Sequence, residues 1–176
     1  ESALQTLRNQ AIKASDIIGV DSIDFDEFPD NRMDSVELLD VIKRIEAFLN
    51  KKSATIVYTH HRWDLNVDHQ VVGRAVLTAC RSLAGSKVST LLAGETLSST
   101  EWAPPAERFM ATEYVDISEV LDRKIEALNC YVDELLDWPH PRSAKSVLNL
   151  AHVRGAEVGV DAAEAFFTLR RLRDIK

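Results

Sequence analysis

Cysteine is scarce in this 176-residue chain, which carries only Cys80 and Cys130. The two show no paired spacing of the kind that marks a disulfide framework or a zinc ribbon, so a reducing, cytoplasmic setting is the simplest expectation. Positive charge is in deficit: 21 Lys and Arg against 28 Asp and Glu leave a net charge of −7. Phosphate recognition needs a basic face, and no nucleic-acid partner is expected. No apolar run approaches the roughly 20 residues needed to cross a bilayer, and no secretory signal pattern is visible in the printed residues. No membrane partner is expected. What is present, 45% hydrophobic and 28% charged residues, suits one globular domain over residues 1–176 with a substantial core.

Hydrophobic periodicity gives the order of elements. Leu4, Leu7, Ala11, Ala14, Ile17 and Ile18 form a helical stripe that Gly19 ends, and residues 22–28 alternate at period two as a short strand would. Pro29-Asp30-Asn31-Arg32 reads as a turn. A second helix, capped by Asp34 or Ser35, buries Leu38, Val41, Ile42, Ile45, Phe48 and Leu49. Ala54 to Tyr58 is continuously apolar, as in a strand covered on both faces, and Val67 to about Arg81 is a third amphipathic helix. Val88 to Glu95 reads as a strand, Tyr114-Val115 as a brief one, and Ile117 to Tyr131 as a helix behind Asp116. Ser143 caps a last long helix, after which Ala163 to Phe167 fits either a helical turn or an edge strand, followed by an exposed charged tail. Helix and strand alternate as in a doubly wound α/β fold.

One stretch concentrates reactive side chains. Tyr58-Thr59-His60-His61-Arg62-Trp63-Asp64-Leu65-Asn66-Val67-Asp68-His69 holds three of the chain's five histidines, where a strand ends and a helix begins. Open α/β sheets place ligands at that position. Asn66 is a natural N-cap, and a helix start favours Asp68 and a neutral, metal-competent His69. Read from residue types alone, the cluster fits half of a metal site with Asp68 orienting a neighbouring histidine, and it fits equally a polar loop with a histidine at a helix end.

The run Thr59 to Val72 resembles the second motif of the GlcNAc-PI de-N-acetylase (PIG-L/LmbE-like) family, zinc-dependent enzymes that remove acetyl groups from amino sugars. Ser98-Ser99-Thr100-Glu101-Trp102, Pro139-His140-Pro141-Arg142-Ser143 and the run Arg154 to Phe166 resemble later landmarks of bacterial members, in order. The resemblance implies a Rossmann-like three-layer α/β sandwich with a mostly parallel sheet, a Zn2+ cofactor and an N-acetylated amino sugar, free or conjugated, as substrate. It allows a homo-oligomer. His69 matches the family's zinc ligand. Asn66 stands where many members carry a histidine, which moves the general-acid role to His140; Asn66 keeps a hydrogen-bonding role in catalysis. Arg32, beside Asp30, lies in a loop that in the family can approach the site, and His61 and Asp64 are expected at the substrate. Glu101 and Trp102 suit sugar hydroxyls and an apolar sugar face, although a loop anchored by a half-buried Trp reads the same way.

Family members draw two more ligands and the general base from a His-Pro-Asp-Asp motif after the first strand, and these 176 residues contain no such motif. The opening stripe begins without a cap, so an upstream segment bearing the first strand and that motif is expected. Two competitors follow. One is a non-catalytic remnant that binds a sugar or partner without zinc; the other is a different metallohydrolase using His60, His61, Asp64 and His69 as a self-contained set.

Overall fold

A computed structural model describes residues 3–173. The chain falls into two compact units, Glu1–Glu27 with Tyr114–Glu164 and Phe28–Glu113 with Ala165–Lys176.

In the first unit, helix α1 (Ala3–Ile18) runs until Gly19, whose φ of +85° is a left-handed conformation that glycine adopts at no steric cost. The expected strand over residues 22–28 does not form. A period-two pattern needs a neighbouring strand to complete its ladder. Here Arg8 fastens the segment instead, with its guanidinium 5.5 Å from the Phe25 ring centroid and donating to the Asp26 carbonyl at 3.3 Å. Helix α4 (Leu121–Leu128) follows a 3-10 turn at Ser118–Val120, and helix α5 (Ala144–Val158) starts at Ser143, whose hydroxyl accepts the Ser146 N–H as expected of a cap. Ile117, Ala151 and Ala162 form this unit's small core with Leu121. Gly155 allows the close approach there: a Cβ on it would lie 2.5 Å from the Val160 carbonyl oxygen.

The second unit packs helices α2 (Leu38–Lys52) and α3 (Val67–Ala79) beside strands β1 (Ile56–His60) and β2 (Thr90–Gly94). Helix α2 starts at Glu37, not at Asp34 or Ser35, because Met33–Ser35 forms a separate 3-10 turn. Met33, Val41, Ile42 and Ala75 make one buried cluster, and Val76, Cys80 and Leu91 another. With β3 (Glu113–Asp116) and β4 (Ala163–Arg171), the sheet has four strands in the order β1-β2-β4-β3. β1 and β2 are parallel, and β4 runs antiparallel to β2 with an irregularity at Leu91/Leu92. Thr112 donates to Phe166 while Ile117 donates to Ala162, so β3 is antiparallel to β4 and three of the four strands share a direction.

Sequence expectations change at the sheet. β1 stands at the end of the strand order among the described residues, and Ile56 and Tyr58, on one of its faces, are more than half exposed instead of covered, while Val57 on the other face packs on the core. The ambiguous segment after residue 162 is a strand, and an interior one. Of its charged end, Arg171 to Arg173 are exposed as expected and residues 174–176 lie outside the described residues, but the Arg170 guanidinium donates to the carbonyls of Cys80 at 2.6 Å and Val88 at 3.0 Å.

Candidate metal centre

Strand β1 ends at His60, and α3 crosses that end at close range. The position of a Cβ on Gly73 is 2.9 Å from the His60 carbonyl oxygen, so only a hydrogen fits between helix and strand. That approach sets the His69 ring, in the first turn of α3, flat on the His60 ring, with centroids 3.9 Å apart and planes within 5°. Asn66 starts the helix as the sequence indicates, its side-chain oxygen accepting the N–H groups of Asp68 at 2.8 Å and His69 at 3.4 Å.

Between strand and helix, the loop turns at His61, whose carbonyl accepts the Asp64 N–H at 3.0 Å. The turn carries Asp64 inward until no part of it reaches solvent. Its Oδ2 lies 2.8 Å from Nδ1 of His69, and its Oδ1 accepts from the Asn66 N–H at 2.9 Å and from the Ser99 hydroxyl. The Gln70 side chain donates to the Asp64 carbonyl at 2.6 Å. Burial pushes the Asp64 carboxyl up, but the hydrogen bonds from His69, Ser99 and Asn66 outweigh it and hold the group below the usual carboxylate value. His60 moves the other way for an imidazole: burial, and then the neighbouring His69, bring its pKa down from 6.5 to about 4 against the pull of Asp64. His60 is therefore neutral near pH 7, the state in which imidazole binds a metal.

His60, Asp64 and His69 offer three ligand atoms all within 4.8 Å of one another. Imidazole nitrogens and a carboxylate are donor types that zinc takes, so these three residues are a candidate site for a metal ion. The carboxylate already has partners on both oxygens. With Asp64 accepting from Nδ1–H, the free lone pair of His69 is on Nε2, the arrangement in which a carboxylate orients a metal-binding histidine.

The other anticipated residues are placed as follows. Asp68 faces away from the histidines and accepts the backbone N–H groups of Asn31 at 2.6 Å and Met33 at 2.9 Å, so it pins the 31–33 turn. Arg32 in that turn is exposed, with its carbonyl accepting from Ser35. His61 is 5% exposed, edge-on to Phe109 and Phe167, and burial lowers its pKa. Trp102 is 55% exposed. Glu101 is committed to its own loop, each carboxylate oxygen accepting one N–H, from Ser98 at 2.6 Å and Ser99 at 2.9 Å. His140 belongs to the first unit, where its Nδ1 accepts the Arg142 N–H at 3.1 Å in the turn before α5. His60 enters the expectations only through the self-contained metallohydrolase set, and Ser99 is not singled out there as a site residue. Ser99 reaches Asp64 across 35 positions of sequence, and no local spacing announces such a contact.

Residues 1–80 match the PIG-L family, GlcNAc-PI de-N-acetylase. The PIG-L match includes the whole strand-to-helix loop with His60, Asp64 and His69. No curated protein matches the chain by sequence. Solved structures resemble it closely in fold. The conserved protein TT1542 from Thermus thermophilus superposes with a TM-score of 0.78 at 18% identity, over 99% of this chain and 78% of its own. GalB, the 4-carboxy-2-hydroxymuconate hydratase from Pseudomonas putida, gives 0.69 at 20% identity, over 98% and 75%. N,N'-diacetylchitobiose deacetylase from Pyrococcus horikoshii gives 0.72 at 15% identity, over 94% of this chain and 64% of its own. At such identities the likeness speaks for the α/β fold, and the presence of a hydratase beside a deacetylase shows that the fold alone does not choose the chemistry.

Proposed function

We propose that the protein is a zinc-dependent N-deacetylase that hydrolyses the acetamide of an N-acetylated amino sugar or its conjugate. The observation that carries this reading is the His60, Asp64 and His69 cluster, which lies inside the segment matching PIG-L. The sugar deacetylase among the similar folds supports it.

In this reading His69 holds the ion through Nε2, and the His60 ring stacked flat on it supports the ligand ring. Zinc bound there supplies Lewis-acid polarisation of the amide carbonyl and makes water acidic enough to attack near neutral pH. The chain's own residues do the positioning. Asp64 keeps the His69 proton on Nδ1 and fixes the ring plane. Asn66 spends its side-chain oxygen on the helix start, so its amide has only N–H groups left to offer a developing oxyanion. Gly73 sets how deeply α3 carries His69 over the strand end.

A second reading, a different metallohydrolase, uses His60, His61, Asp64 and His69 as a self-contained set, and the grouping of His60, Asp64 and His69 supports it. One experiment separates them. The complete polypeptide as its gene encodes it is purified, its zinc content measured, and N-acetylglucosamine and its conjugates are assayed for released acetate. The proposal expects about one zinc per chain and acetate release, both lost in His69→Ala. Zinc without acetate favours the second reading; absence of both favours a non-catalytic domain.

A further inference from the structure

Glu101 is separated from His69 by a chain of hydrogen bonds, each made by an identified donor and acceptor. Its two carboxylate oxygens accept the N–H groups of Ser98 and Ser99 at 2.6 and 2.9 Å. Ser98 has a φ of +64°, a left-handed conformation that costs free energy in a residue with a side chain. The clamp holds the loop in this conformation and fixes where Ser99 points. The Ser99 hydroxyl, on a 4% exposed residue, donates to Oδ1 of Asp64, and Oδ2 of the same carboxylate faces Nδ1 of His69 at 2.8 Å. Asn66 N–H, directed at both Oδ1 of Asp64 (2.9 Å) and Ser99 Oγ (3.2 Å), closes the network.

A carboxylate has about four acceptor directions. Two donors on Oδ1 fix the rotation of the Asp64 group, so Oδ2 is presented to the His69 ring in one geometry. The consequence at His69 is a choice of tautomer: a proton held on Nδ1 leaves Nε2 as the lone pair. We infer that Glu101 and Ser99 are positioning residues that set the tautomer and ring plane of His69 through Asp64, and thereby the metal affinity of the site. Neither residue needs to touch the ion or the substrate. The inference rests on the metal-site reading of His69 given above, but the hydrogen-bond relay is testable without it.

The experiment uses the complete polypeptide with 15N-labelled histidine, in wild-type form and as Ser99→Ala, Glu101→Ala and Glu101→Gln. Two quantities are measured beside a thermal melt: the His69 tautomer of the metal-free protein, from ring 15N shifts and 15N–1H correlations, and the affinity for Zn2+ alone, by competition with a chelating dye. Wild type is expected to carry the His69 proton on Nδ1. Ser99→Ala and Glu101→Ala are expected to mix the tautomers and to weaken zinc binding about 10–100-fold, the usual effect of losing an outer partner of a ligating histidine. Glu101→Gln keeps one acceptor oxygen and should fall between them and wild type. Folded variants that hold His69 in the wild-type tautomer and bind zinc within about threefold of wild type overturn the inference. A wild type that binds no zinc, but whose His69 tautomer shifts in Glu101→Ala, sinks the metal reading and leaves the relay standing.

Discussion

The imidazoles of His60 and His69 lie face to face, 3.9 Å between centroids, although one ends a strand and the other sits in the first turn of the following helix. Two rings so placed share one surface and exclude water from it, and the burial that results keeps His60 unprotonated down to about pH 4. The stack depends on how closely α3 can approach β1, and that distance is set by a single missing side chain.

Gly73→Ala tests that dependence. The added methyl would sit 2.9 Å from the His60 carbonyl oxygen, a backbone atom that cannot swing away. Overpacking of this kind costs about 1–3 kcal/mol, and alanine's better helix propensity returns about 1 kcal/mol, so a net loss of about 1 kcal/mol is expected in urea denaturation. The helix should lift from the strand end, and zinc binding should weaken together with stability.

Asp64 should be the least replaceable residue of the loop. It is fully buried and receives hydrogen bonds from His69, Ser99 and Asn66. Asp64→Ala removes the acceptor of the buried Ser99 hydroxyl and of the half-buried His69 and Asn66 N–H groups, and is expected to cost about 3 kcal/mol. Asp64→Asn retains one acceptor oxygen and should cost less, which paired denaturation curves will show.

Asn66→Ala removes the cap of α3, whose side-chain oxygen satisfies the Asp68 and His69 N–H groups. A loss of about 1 kcal/mol is expected, and Asn66→Asp should recover most of it. Were the alanine variant as stable as wild type by urea titration, the first turn of α3 would owe its position to something other than its cap.

Gly155→Ala serves as a control in the first unit. A Cβ there would meet the Val160 carbonyl oxygen at 2.5 Å and Ala162 backbone atoms at 2.8 Å. Overpacking of about 1–3 kcal/mol, less about 1 kcal/mol for alanine's helix propensity, leaves an expected net loss of up to about 2 kcal/mol, with the zinc affinity of the folded protein unchanged. A Tm drop with an unaltered zinc isotherm would show that the metal-binding losses in other variants are local.

Local signals in the chain were readable wherever the cause was local. Gly19, Asn66 and Ser143 each mark a helix end by their own chemistry, and each was found doing so. The α/β alternation and the strand before His60 were equally plain, because periodicity is a property of neighbours in sequence. Long-range relations were not. Ile56 and Tyr58 look like core residues, yet only the opposite face of β1, with Val57, packs on the core, and which face is covered is set by packing between distant elements. Residues 22–28 have the alternation of a strand and no ladder to join. Asp68 was the natural candidate to orient a histidine, being beside one, yet its carboxylate turns to Asn31 and Met33, and Asp64 takes His69 instead. Neighbouring helix residues point in different directions, which excludes Asp68 from His69, but its engagement with the 31–33 turn is a long-range contact that no local pattern shows. The contact that completes the site, Ser99 on Asp64, joins loops after β1 and β2 that only the parallel pairing of those strands brings together.

The most direct measurement is anomalous diffraction at the zinc edge from crystals of the complete polypeptide grown with one equivalent of Zn2+. A peak about 2.0–2.1 Å from Nε2 of His69, with Nδ1 still against Asp64, is the predicted result. A peak away from that nitrogen, or His69 rotated so that Nε2 faces the protein interior with no ion beside it, would contradict the metal centre and with it the deacetylase proposal.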